Sequence, residues 1–323
     1  MPFRPMMEIN KATCHQEVED GVDRQPASCL PQAAGSDAWI RGVLAGAALL
    51  ASLSVLLIGA FLVYFTVPLL RSGQLGAVLS WHWRPFQGQF GILPMVVGSL
   101  GLAGSAMALA FPLGLGVSGF VYLYGRQPSG RVVLAVIQFM TSIPTVVYGF
   151  AAVFLLIPFL RFSFPGGTGF SWLAATLILS LLVLPTVVLL MHSQLSLVAA
   201  EVHLAAAALG LTPAQELLWV LLPAMRRGLI AAGILGFGRA LGDTLVALML
   251  SGNAPQIPQS PLDAIRTLTA HIALVVATDS QSTAYHSIFA SGLIIFCLTA
   301  LINLALRRLR RPGLPTKRNF DEI

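Results

Sequence analysis

The chain has 323 residues, of which 56% are hydrophobic and 10% charged, with a mean hydropathy of +0.81. Soluble domains carry about 25% charged residues, so the composition excludes a soluble globular protein and reads as an all-α polytopic membrane protein. The net charge of +6 is no nucleic-acid signal here, and the three cysteines, Cys14, Cys29 and Cys297, fit no common zinc spacing.

Residues 1–38 are polar, mixed in charge and contain Pro26 and Pro31, which predicts a flexible cytoplasmic tail. No Asp, Glu, Lys or Arg falls between Arg41 and Arg71, Arg84 and Arg126, Arg131 and Arg161, Arg161 and Glu201, or Asp279 and Arg307. Each stretch exceeds the roughly 20 residues a spanning helix needs. A further stretch is interrupted only by Arg239 and Asp243. Six spans are therefore expected, at about 42–68, 93–124, 132–160, 171–192, 228–250 and 286–306. The first is too long, and too far into the chain, to read as a cleaved signal peptide.

Between spans one and two, SWHWRPFQGQFG (80–91) is expected at the outer interface, where Trp81 and Trp83 suit the headgroup layer. Pro112 predicts a bend in the second span, and TSIPTVVYG (141–149) a break in the third. Thr141, Ser142, Thr145 and Tyr148 either line a polar path, or the serine and threonines satisfy backbone groups near Pro144. His192 and His203 are expected to be interfacial or solvated. Of the nineteen Lys and Arg, fourteen fall inside if both termini are cytoplasmic. Four (Arg71, Arg84, Arg161, Arg266) fall outside, and Arg239 lies in the membrane. Positive charge gathers on the inner side, and RRLRR at 307–311 anchors the last span there, ahead of a second tail at 312–323.

The only long inner loop, 193–227, reads as two short helices. Ala199 to Leu209 is alanine-rich and helix-favouring. Gly210 then supplies a left-handed stop. Thr212 follows as an N-cap, with Pro213 at the first position and Gln215 closing a capping box, and Pro223 ends or bends the second helix. Such a cassette is either a stiff knob for another protein to push or an amphipathic hairpin lying on headgroups.

Arg239 and Asp243 lie four apart on one helix face, a spacing that allows pairing. Charges near the bilayer centre cost about 2.5–3.5 kcal/mol each on insertion scales, so they need a partner or a wet cavity. Arginine is also shaped to grip an oxyanion with two parallel hydrogen bonds. A translocation-path role for Arg239, steadied by Asp243, and a structural ion pair both remain open on these grounds.

Gly210 followed by Val220, Leu222 and Pro223 resembles the G-x9-hydrophobic-x-L-P tail of the EAA motif of ABC importer permeases. Ala205 and Ala206 occupy the motif's alanines. Leu204 stands where the motif has glutamate, with Glu201 one turn earlier as a substitute. GILPMVVGSLGLAGSAMALAFPLGLG (91–116), SIPTVVYGF (142–150) and GRALGDTLVALMLSGNAPQIPQS (238–260) are similar to PstC-type permeases of the phosphate ABC importer. Asp243 replaces a glutamate before Thr244, and the loop Gly252 to Pro258 separates PstC-type from PstA-type chains. The resemblance covers about 70–310. It implies a type I (MetI-like) permease fold over 39–311 in a bacterial inner membrane, with Arg239, Asp243 and Thr244 on the substrate path. It also implies that Glu201, Leu204, Ala205, Ala206, Gly210, Leu222 and Pro223 form the ATPase-coupling segment. The implied partners are a PstA-type permease, a PstB-type ATPase dimer carrying ATP and Mg, and a PstS-type phosphate-binding protein; this chain needs no cofactor of its own.

No G-x4-G-K-[ST] loop is present, and the only lysines are Lys11 and Lys317, so the chain has no P-loop with which to hydrolyse ATP. Nor does it contain H-E-x-x-H or G-x-S-x-G. An oxyanion permease of another specificity, and a self-sufficient secondary transporter or channel, are the alternatives. The latter leaves the 199–223 cassette unexplained.

Overall fold

Helix dominates because a backbone in hydrocarbon must satisfy its own hydrogen bonds. The computed structural model describes residues 37–71, 75–78, 80–84, 87, 89–125, 127–164, 167–276 and 283–310. The tails expected at 1–38 and 312–323 lie outside these residues, apart from the first two residues of helix α1 (Asp37–Arg71). Contacts divide the chain into one unit up to Leu56 and a second from Leu57 onward. The first unit contributes the opening half of α1, which exposes Leu49, Leu50, Leu53 and Leu56; such an apolar surface suits lipid.

In the second unit a short helix α2 (Leu75–Val78) and a two-residue hairpin, β1 (Trp83–Arg84) paired antiparallel with β2 (Gln89–Phe90), precede α3 (Leu93–Tyr124). Helix α3 runs through Pro112 without a break. The third span is two helices, α4 (Pro128–Ser142) and α5 (Thr145–Ser163), separated at Ile143 and Pro144. Pro144 has no N–H for the Met140 carbonyl; the Tyr148 hydroxyl donates to that carbonyl instead, at 3.0 Å. Backbone satisfaction here, expected of serine and threonine, is carried out by the tyrosine, while Thr141 Oγ1 donates to the Gln138 carbonyl at 2.6 Å.

The fourth span overruns its expected end. Helix α6 (Trp172–Ala208) is continuous for 37 residues, so the first helix of the inner cassette is its extension and not a separate element. Nothing from Ser193 to Ala208 breaks a helix, and the closing alanines favour one. After Gly210 comes α7 (Pro213–Ala224), a π turn over Glu216–Leu221 at its centre. It meets α8 (Arg226–Gly242) at a 72° bend. The fifth span is also broken: α8 stops at Gly242 and α9 (Leu245–Leu250) resumes after Asp243 and Thr244. Helices α10 (Leu268–Val275) and α11 (Thr283–Arg310) are the last described elements.

Five of these helices are long and apolar enough to cross a membrane, or six if the bent pair counts as one span. The core lies among α3, α6 and α8, with Leu102, Ala106, Val183, Val187, Ala232 and Ala240 nearly or fully buried. Small residues permit that approach, as expected where lipid supplies no hydrophobic drive. A β-carbon on Gly114 would lie 2.7 Å from Val187 Cγ1, and one on Gly236 2.9 Å from Val187 Cγ2.

Candidate functional site

Two places in the fold carry polar residues that the apolar scaffold does not explain. The first is the knob formed by the end of α6, the Gly210 turn and α7. Gly210 adopts φ 69°, left-handed as its position requires. Thr212 and Gln215 form the expected capping box: Gln215 N–H donates to Thr212 Oγ1 at 3.4 Å and Thr212 N–H to Gln215 Oε1 at 2.9 Å. Of the motif positions, Ala206 is buried and Leu222 partly buried, while Ala205, Gly210 and Pro223 are exposed. Leu204 projects with 83% exposure. The Glu201 side chain lies outside the described ones.

Inside the knob sits a carboxylate that the sequence reading passed over. Glu216 is 3% exposed among Leu195, Leu217, Leu221 and Met225. His203 Nδ1 lies 3.0 and 3.1 Å from its two oxygens, and the Tyr122 hydroxyl donates to Oε1 at 3.4 Å. His203, expected to be interfacial or solvated, is 63% exposed and is also the partner of a buried acid. One side chain on α7 is tied to both α6 and α3. The signal was a lone acid inside ELLWVLL, where a membrane-facing helix would have none.

The second place is the break at Asp243. Arg239 is exposed on the last turn of α8, and Asp243 and Thr244 are partly buried. The expected direct pairing is absent: among the described residues the only ion pair within 4.0 Å is His203–Glu216. Asp243 has left the helix, with φ −74° and ψ 123°, and its Oδ1 accepts the Val246 N–H at 2.8 Å. It caps α9 and gives up the i,i+4 geometry an ion pair with Arg239 needs. Its own carbonyl accepts from Thr269 Oγ1 at 3.2 Å, so α10 folds back against the break, a contact the sequence did not announce.

Beside this break, the segments that follow α9 and precede α10 are laced together. The Ser251 hydroxyl donates to the Ile265 carbonyl at 2.9 Å, and Ile265 N–H to the Ser251 carbonyl at 2.8 Å. Trp83 meets His271 edge to face, ring centroids 4.5 Å apart. His271 is fully buried with Nε2 3.1 Å from Ser287 Oγ.

Residues 110–311 match the family described as the binding-protein-dependent transport system inner membrane component. The probable ABC transporter permease protein YqgH of Bacillus subtilis is 33% identical over 234 residues, covering 72% of this chain and 75% of that protein. The phosphate transport system permease protein PstC of Haemophilus influenzae is 26% identical, covering 72% and 79%. Among solved structures, the methionine ABC transporter MetNI in an inward-facing conformation shares the fold at TM-score 0.54 and 22% identity, over 71% of this chain and 97% of that one. A bacterial ABC transporter involved in alginate import does so at 0.53 and 15%, over 84% and 97%. The architecture is the MetI-like ABC importer fold, and the chain belongs to the inner-membrane permease components of binding-protein-dependent transport systems.

Proposed function

We propose that this permease subunit imports inorganic phosphate as a PstC-type chain, with Arg239 as a substrate contact on the translocation path. The observation that carries the reading is the exposed guanidinium of Arg239 beside a helix break in the fifth span. A cation on a spanning segment, with no described carboxylate within 4.0 Å, is costly unless it serves a polar path. Relatives that are phosphate transport system permease proteins, at 26–28% identity, support phosphate over other solutes. Asp243 and Thr244 hold the break open, and Asp243 keeps a nearby negative charge that limits how tightly an anion is gripped.

In this reading both termini are cytoplasmic. The knob, including Leu204, Ala205, Ala206, Gly210, Leu222 and Pro223, couples to a PstB-type ATPase dimer that holds ATP and Mg. A PstA-type permease completes the membrane pair, and a PstS-type binding protein delivers phosphate to the opposite face. ATP-driven closure of the ATPase rocks the bundles as bodies about the central path.

The test is phosphate uptake in a strain lacking its own importer and complemented with this chain and its partners. Arsenate, sulfate and molybdate serve as competitors. Phosphate uptake is expected, competed by arsenate and not by molybdate, and abolished by Arg239→Gln although the complex still assembles. Uptake of another oxyanion alone would reassign the substrate, and full uptake by Arg239→Gln would remove the arginine from the path.

A further inference from the structure

Arg266 precedes α10 and is partly buried, and burial lowers its pKa from the ordinary guanidinium value. A guanidinium has five N–H donors and cannot escape its charge by deprotonating. Here Nε–H donates to the Asn253 carbonyl at 2.7 Å, its only hydrogen bond among the described residues. The two described acids of the neighbouring segments are engaged elsewhere. Asp263 Oδ2 accepts the N–H groups of Gln259 and Ser260, both at 2.8 Å, and Asp243 Oδ1 caps Val246. Among the described residues no carboxylate lies within 4.0 Å. The four Nη hydrogens are left as an open fork.

The mounting of this residue is rigid. Gly252 and Asn253 are consecutive left-handed residues, φ 77° and 55°, and Asn253 Nδ2 donates to the Leu248 carbonyl at 2.7 Å. On the other side, Leu268 N–H donates to Ser99 Oγ at 2.7 Å. A β-carbon on Gly98 would stand 2.4 Å from the Arg266 carbonyl, so the Arg266 backbone lies directly against α3. Three residues further on, Thr269 bonds the Asp243 carbonyl, joining this segment to the break near Arg239. A desolvated, unneutralised and rigidly mounted guanidinium beside a polar break is the arrangement that a planar fork needs to meet a tetrahedral oxyanion.

We propose that Arg266 is a second oxyanion contact, which receives the substrate before it reaches Arg239. This rests on the oxyanion reading above and adds a residue to it. Substrate entering from the 251–267 side meets the Arg266 Nη groups first and is passed inward across the Asp243 break. Two separated cationic contacts, neither closed by a carboxylate, allow capture without a trap.

The experiment uses the full importer, with its ATPase, partner permease and binding protein, reconstituted in proteoliposomes. Radiolabelled phosphate uptake is expressed per assembled complex, with basal ATP hydrolysis measured alongside. Arg266→Gln can still donate to the Asn253 carbonyl but carries no charge; Arg266→Lys keeps the charge and loses the fork. Expected uptake is at least tenfold down for Gln and roughly threefold down for Lys, with basal ATP hydrolysis unchanged in both. Equal uptake by all three proteins, or a loss in Lys as large as in Gln, overturns the proposal, because a purely structural arginine would give one or the other. If the unmodified complex moves none of phosphate, arsenate, sulfate or molybdate, the oxyanion reading itself fails. If it moves one and Arg239→Gln stops it while Arg266→Gln does not, only the role of Arg266 fails.

Discussion

Glu216 is buried among leucines, and taking a carboxylate out of water costs several kcal/mol unless it is paired and hydrogen-bonded. Two contacts from His203 and one from Tyr122 provide that compensation. Replacing a buried ionic group by a well-packed hydrophobe is often neutral. Glu216→Leu should therefore leave the melting temperature of the detergent-purified complex within a degree or two. His203→Leu, which strands the carboxylate, should cost about 2 kcal/mol, and the double variant should recover most of that. Equal losses from both single variants would mean that the pair itself is the stabilising unit. His271 makes the opposite electrostatic case. Burial, reinforced by the field of Arg266, holds its pKa down to about 3 from 6.5. Between those values the unfolded chain binds a proton that the folded one refuses. Stability present above pH 6.5 therefore falls on acidification through that window, by up to about 1.4 kcal/mol per unit. Amide protection factors over 251–276, with the intrinsic pH dependence of exchange divided out, should be lower at pH 5 than at pH 7, and His271→Asn should remove that difference. Unchanged protection in the unmodified protein would show that the ring is already wet.

Proline breaks are where the elements depart from uniform helices, and the α4–α5 junction shows how one is made tolerable. Met140 loses its usual donor because position 144 is proline, and Tyr148 substitutes its hydroxyl at 3.0 Å. Tyr148→Phe leaves a carbonyl without its partner at a cost of about 1–3 kcal/mol. Pro144→Ala in that background returns an N–H, so the double variant should be less destabilised than the two single losses added; strict additivity in thermal unfolding would refute the pairing. The break itself was legible, since proline in an apolar run has few other meanings. So were the Gly210 stop and the Thr212 capping box, because each depends on neighbours within four residues. What stayed hidden depends on distance along the chain. The end of the fourth span could not be placed at Ala208, because a helix leaving a membrane and one beginning at its surface have the same local pattern. The Asp243 cap on Val246 overrode an i,i+4 pairing that spacing alone favoured. Thr269 at the break, and His203 beside Glu216, join residues 26 and 13 apart, for which periodicity carries no signal.

At the scale of the whole molecule the question is where force enters. The chain has no P-loop, and under the proposed function the work of transport arrives through a surface that a separate ATPase grips. The knob offers one. Leu204, Leu209, Leu218 and Trp219 are 83%, 78%, 59% and 75% exposed there, although a polar setting would favour charged residues. Large exposed apolar side chains gathered on one projection mark interaction sites, and aromatic anchors carry a disproportionate share of binding energy. On the proposed coupling role, leucine at 204, in place of the motif glutamate, makes the contact more apolar, so attachment of the ATPase should be insensitive to salt, since only charged contacts are screened. Trp219→Asp touches none of the Glu216 contacts and faces outward. It should leave membrane insertion and the melting temperature unchanged, reduce copurifying ATPase at least tenfold, and stop ATP-driven uptake. Raising salt from 0.1 to 0.5 M should release little ATPase from the unmodified complex. If Trp219→Asp retains its ATPase and transports normally, the force enters elsewhere, and the Gly210 turn is a bend in the fold with no mechanical role.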